Sequence, residues 1–134
     1  MQFDADPLSA QAITGYGVQG IAVNGVWHSN SLLLGSDGML HPWLPQTTTP
    51  KTKYPFTVDA VVTVLHFLSD SANPAYELVL LGTGQKQVFL PPELLQPFIA
   101  AGVTVEVMNT PAACRTYNIV MAEDRKVLAA LWLE

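Results

Sequence analysis

One cysteine, Cys114, is all the chain has, so no disulfide can close within it. A reducing, cytoplasmic setting is the expectation that follows. Positive charge is scarce. The six basic residues are Lys51, Lys53, Lys86, Arg115, Arg125 and Lys126, against eleven acidic ones, for a net charge of −5. Positives this scattered leave no footprint for nucleic acid and no attraction to an anionic membrane. No apolar run approaches the ~20 residues that a membrane-spanning helix needs, so the chain is not expected to be integral to a membrane. The first residues carry Asp4 and Asp6, with neither a basic nor an apolar leader segment, so no targeting peptide is expected. His28, His41 and His66 have no i, i+4 partner and no cysteine nearby, and no metal site is expected. Neither GxGxxG nor GxxxxGK[ST] occurs, which leaves dinucleotide and nucleoside-triphosphate binding without support and implies no cofactor.

What the chain does have is apolar mass. Apolar residues make up 49% of its 134 and charged residues 13%. That is too apolar for disorder and enough for one domain over residues 1–134. A large core under a Thr, Gln, Ser and Asn surface accounts for these figures. So does a face buried against a protein partner or a second copy.

Residues 1–11 read as a loosely held terminus. Asn24-Gly25, between Gly20–Val23 and Val26-Trp27, is the signature of a type I′ hairpin. Ser31–Leu34, Gly35–Gly38 and Met39–Trp43 suggest a second hairpin in the same antiparallel sheet, with Ile21, Val23, Trp27 and some of Leu32–Leu34 facing inward. Pro45, Pro50 and Pro55 make 44–56 an exposed connection. Residues 57–69 place Val58, Val61, Val62, Leu65 and Leu68 on one helical stripe with Thr57 as cap, although Val61–Val64 is β-branched enough to favour a strand. Glu77–Leu81 is a strand suited to burial on both faces. Gln87–Leu90 has the look of a short strand. A helix follows from Pro91-Pro92, with Leu94, Leu95, Phe98 and Ala101 inward and Gly102 closing it. Val103–Met108 is the next strand. Thr110-Pro111 predicts a helix capped by Thr110, and Val127–Leu133 is a final strand. Strands alternating with helices at this spacing imply a partly parallel sheet.

Ligands of such sheets bind beyond the carboxyl ends of the strands. There the chain places Gly82-Thr83-Gly84, with flexible backbone and one hydroxyl, and Thr110 at a helix start, where anions are attracted. A tight turn and a plain helix cap explain the same residues. Cys114 lies in the first turns of that helix, either as a thiolate favoured by the dipole or as a small buried hydrophobe. Arg115 could meet an anion at the glycine loop or a surface acid. Tyr117 and Asn118 stand out because Asn is disfavoured inside helices unless it bonds to a neighbouring segment. Pinning such a segment and catalysis are both open to it. No catalytic constellation emerges.

Leu80-Leu-Gly-Thr-Gly84, Leu90-Pro-Pro-Glu-Leu94, Gly102–Met108, Asn109-Thr110-Pro111, Thr116-Tyr117-Asn118 and Ala129-Ala130-Leu131 occur in an order that resembles a small α/β family of Mth938-like domains. The earlier Leu32–Leu34, Asp37-Gly38 and Trp43 fit as well. The family includes a mitochondrial respiratory complex I assembly factor. The resemblance implies a three-layer α/β fold with a central mixed sheet and a separate N-terminal β-hairpin element. It implies no established enzyme activity, and for the mitochondrial member a role in assembly through protein partners. Pro91-Pro92 departs from the family's usual Ser- or Thr-Pro, so that helix start offers no side-chain oxygen. The expectation is a non-catalytic binding or assembly module with protein partners, and homo-oligomers are compatible with it. The rival is a protein that binds an anionic metabolite, or an enzyme, using Gly82, Thr83, Gly84 and Thr110.

Overall fold

A computed structural model describes residues 11–43, 58–69 and 76–133. The expected loose terminus up to residue 10, the proline-rich connection from residue 44 and the Thr57 cap lie outside them. The chain order is β1 (Ile13–Gly17), β2 (Gly20–Val23), β3 (Val26–His28), β4 (Leu32–Gly35), β5 (Leu40–Pro42), α1 (Val58–Ser69), β6 (Leu78–Gly82), α2 (Pro92–Ala100), β7 (Thr104–Met108), α3 (Thr110–Ala122) and β8 (Val127–Leu131).

A five-stranded mixed sheet, ordered β5-β4-β8-β6-β7, forms the central layer. β6 runs parallel to both β7 and β8, and β4 runs antiparallel to β8 and β5. Strands β4, β6 and β8 are apolar at nearly every position, and every residue of them is buried. Only a place between two covering layers satisfies such strands. One face meets α1 and α2 through Val61, Val64, Leu94 and Phe98. The other meets α3 and the small β1-β2-β3 sheet through Ile13, Ile21, Val23, Ala113 and Tyr117. No described helix is long and apolar enough to cross a membrane.

The Asn24-Gly25 turn forms as expected, with positive φ at both residues (51° and 85°). The two hairpins, however, do not share a sheet. β4 is claimed by β8 along Leu32↔Leu131 to Gly35↔Leu128, which leaves β1–β3 as a sheet of their own. Trp27 does not face inward. It is 46% exposed, opposite Ala22 in register, and its ring lies where a Cβ on Gly15 would come within 3.2 Å.

Residues 58–69 are helical, but the stripe is shifted. Val64 is fully buried and Val62 is 55% exposed. The covered arc runs through 61, 64, 65 and 68, the spacing of one helix face. Gln87–Leu90 forms no strand. Both sides of β6 are already paired, and the open edges of this sheet are those of β5 and, nearer in sequence, β7. There Gln87 Nε2 donates to Val107 O at 3.3 Å, while Phe89 is 83% exposed. In α2, Leu94 and Phe98 are buried and Ala101 is an exposed cap, followed by Gly102 with φ 78°.

Candidate functional site

The carboxyl ends of the three parallel strands lie side by side, with Gly82 in register with both Met108 and Leu131. Their loops are tied in one knot. Thr110 N–H donates to Gly84 O at 2.7 Å, and Gly84 N–H donates back to Thr110 Oγ1 at 2.8 Å. Thr110 Oγ1–H donates to Trp132 O at 2.7 Å, and Trp132 N–H donates to Gly82 O at 3.1 Å. Thr83 N–H reaches Met108 O at 2.8 Å, while its hydroxyl donates to Lys86 O at 2.7 Å. Both threonines are buried, so every one of these bonds replaces a bond to water. Gly82 is small for a reason. A Cβ there would stand 2.9 Å from Thr110 Oγ1 and 3.1 Å from Thr110 Cα.

Thr110 is not the cap of α3. Asn109 is, in extended conformation (φ −67°, ψ 161°), and its Oδ1 accepts from Ala112 N–H at 2.8 Å. Asn109 O accepts from Ala113 N–H. The Thr110 hydroxyl is drawn instead to Gly84 and Trp132. Pro111 has no N–H to offer. The amides of Thr110, Ala112 and Ala113 are therefore all engaged within the chain, and the attraction of this helix start for an anion has no donor left to express it.

Gly82, Thr83, Gly84 and Thr110 thus meet, but Tyr117 and Asn118 stand about two turns further along α3. Tyr117 is fully buried in the layer between α3 and the central sheet. Among the described residues its hydroxyl has no hydrogen-bond partner, and burial, reinforced by the charge of Asp37, raises its pKa above the ordinary tyrosine range. Asn118 clamps β1: Oδ1 accepts from Ile13 N–H at 2.9 Å and Nδ2 donates to Ile13 O at 2.7 Å. Two bonds to one residue fix both the distance and the tilt of the small sheet against α3. Arg115 donates to the Tyr16 hydroxyl at 2.9 Å. Cys114 is buried, and burial pushes its thiol pKa up to about 12 against a smaller opposing effect of Arg115. It stays a protonated thiol at neutral pH, which is the hydrophobe and not the nucleophile.

The two clamps bring the β1–β2 turn opposite the knot, and a cleft of about 650 Å³ lies between them. Tyr16 to Gly20 and Ser29 form one wall. Gly84, Gln85, Thr110, Pro111, Trp132 and Leu133 form the other. No described residue of either wall is charged. Sequence reasoning located the second wall through its glycines and Thr110, and missed the first. The first wall reaches this place through contacts between residues 99 and 105 apart in sequence, which no local pattern encodes. Among the described residues, no three His, Cys, Asp or Glu side chains converge as a metal site would require.

Fold and cleft define a three-layer α/β protein of the Mth938-like kind. A Mth938-like domain protein of Bordetella pertussis, solved by NMR, superposes with a TM-score of 0.73 at 33% identity, over 98% of this chain and 92% of that one. The chain belongs to the family described as "Protein of unknown function (DUF498/DUF598)", which matches residues 13–132. Among its relatives is the mouse "NADH dehydrogenase [ubiquinone] 1 alpha subcomplex assembly factor 3", 45% identical over 59 residues, or 44% of this chain and 32% of the mouse protein. Another is the "13 kDa major membrane protein" of Francisella tularensis, 40% identical over 57 residues, or 42% of this chain and 45% of that protein. The matches span less than half the length of these two relatives.

Proposed function

We propose that the protein is a non-catalytic binding module that assists assembly of a membrane-associated, respiratory-type complex through protein partners, working from the cytoplasmic side. The observation that carries this reading is the use made of the polar groups at the carboxyl ends. Thr83, Thr110, the Gly84 amide and the first-turn amides of α3 are consumed by the chain itself. Nothing there is poised to attack, protonate or stabilise a reacting atom. Around the same cleft and on the small sheet, apolar side chains stand in solvent instead: Tyr16, Val18, Val26 and Trp27. Exposed aromatic and aliphatic groups of this kind are the usual anchors of protein contacts. The mouse relative is named as an assembly factor of NADH dehydrogenase, which gives the partner complex its class.

The test is removal of the gene from its own organism, with membranes examined on native gels and for NADH:quinone activity. A smaller amount of assembled complex, restored by the gene in trans, is expected. Normal assembly and activity without the protein would overturn the reading. A second reading, a small-molecule-binding protein, draws on the volume of the cleft, which lies in the range of ligand sites. The spent amides and the uncharged walls count against its anionic form. A thermal-shift screen with anionic metabolites tests it, since a bound ligand raises the melting midpoint by mass action.

A further inference from the structure

We propose that the cleft between the β1–β2 turn and the knot is where an extended, uncharged segment of a partner polypeptide docks. The inference rests on the assembly reading and names the place and chemistry of the contact. Three observations converge on it. The cleft opens at the carboxyl ends of three parallel strands, where α/β sheets receive ligands, and at about 650 Å³ it has room for a short stretch of chain. Among the described residues, its walls carry no Lys, Arg, His, Asp or Glu, in a protein with a net charge of −5. A charged segment entering it would lose water without gaining a partner, and an uncharged one would not. Finally, the walls offer what a peptide main chain needs. Gln19 and Gln85 are exposed, and each amide side chain both donates and accepts, as a peptide group does. Tyr16 and Leu133 supply apolar surface for side chains between those contacts.

The occupant is therefore a segment of small, aliphatic or amide residues, held by main-chain hydrogen bonds and a few apolar contacts. Acidic and basic peptides are excluded by the same argument.

The test begins with selection of phage-displayed random peptides on the full chain. Enriched sequences are then measured by titration against the wild type and three variants. Gln85→Arg puts a charge into the cleft and Ser29→Trp fills it. Both sites are exposed, and an unchanged melting midpoint confirms that each variant folds. Gln96→Arg, on an exposed position of α2 away from the cleft, is the control. Uncharged sequences should be enriched, with affinity falling by about tenfold or more in the first two variants and unchanged in the control. No enrichment, charged consensus sequences, or equal binding by Gln85→Arg and Ser29→Trp would overturn the proposal. The same variants separate it from the assembly reading. If they restore assembly in full to cells lacking the gene, the cleft is not the docking site and the assembly reading stands. If cells lacking the gene assemble normally, it is the assembly reading that falls, and peptide binding decides the cleft by itself.

Discussion

The two walls of the cleft are held by opposite means. On one, the buried hydroxyls of Thr83 and Thr110 and the main-chain amides of Gly84, Ala112 and Ala113 bond within the chain. On the other, a two-residue turn hangs from α3 by the Asn118 clamp and the Arg115–Tyr16 bond, with Val18 almost wholly exposed at its tip. The knot wall is continuous with the central core, whereas the turn itself reaches α3 through polar contacts and the sheet behind it packs on the core through Ile13, Ile21 and Val23. A polar residue at a strand end therefore says little about ligands until its bonds are counted. Thr83 and Thr110 look functional in sequence, and in the structure their hydroxyls bond within the chain, whereas the exposed wall carries apolar groups in solvent.

The sharpest way to break the contrast is at Gly20, where the hanging turn ends and β2 begins. Its φ of 124° is strained for any L side chain, and an added Cβ would overlap the His28 carbonyl on the neighbouring strand. Gly20→Ala should cost about 3 kcal/mol, from backbone strain and overpacking together. Urea denaturation measures this as a lowered midpoint. A loss below ~1 kcal/mol would mean that the small sheet shifts freely and that its position is not fixed as described.

Thr110→Val comes next and probes the other wall. The side chain keeps its shape, but the Gly84 N–H and the Trp132 carbonyl lose their partner in a buried place. A loss of about 2–3 kcal/mol is expected. Thr83→Val should cost less, about 1 kcal/mol, because Lys86 is exposed and its carbonyl can turn to water. If the two costs were equal, the knot would be no more cohesive than an ordinary turn.

How much of this was legible in the sequence follows the range of the interactions. The Asn24-Gly25 turn, the Gly102 helix stop and the doubly buried β6 are written in neighbouring residues, and they stand where the pattern puts them. The start of α3 is also local, yet Asn109-Thr110-Pro111 contains two side chains able to cap. Only the Trp132 carbonyl and the Gly84 amide, brought in from elsewhere, decide that Asn109 does so. Gln87–Leu90 has strand chemistry but forms no ladder, because β7 and β8 already occupy both sides of β6 and only a side-chain bond from Gln87 reaches the edge of β7. Trp27 has the residue type of a core but lies over Gly15 and Ala22 on the outer face. The grouping of β4 with β8 and the whole first wall depend on contacts across nearly the full chain, and periodicity is blind to those.

Asn118→Ala tests the hinge between the walls. It removes two hydrogen bonds to Ile13 and should cost about 1–2 kcal/mol, since β1 can turn its freed groups partly to solvent. The informative readout is local. Amide exchange at Ile13 should accelerate more than exchange in β6 or β8. Uniform acceleration would show that the small sheet and the central sheet open together, and the contrast between the walls would then concern chemistry alone.

The smallest effect is expected at Tyr117, which belongs to neither wall. Its hydroxyl is buried without a partner among the described residues, so Tyr117→Phe removes a group with no bond to lose there. At neutral pH the variant should be neutral or more stable by up to about 1 kcal/mol. A clear loss would reveal a buried water holding the hydroxyl. The sign of the pH effect is fixed by the raised pKa. The folded chain keeps this proton at a pH where an unfolded tyrosine, near 10, gives it up. The stabilisation is complete below the unfolded value and is lost as pH rises through the folded one. Tyr76, bonded to Asp37 at 2.6 Å, and Cys114 shift in the same direction. The wild type should therefore lose stability steadily in alkali, and Tyr117→Phe should lose it with a shallower slope, the remainder belonging to Tyr76 and Cys114. Denaturation midpoints taken across that range decide between this and an identical slope, which would place the alkaline loss wholly on the other two groups.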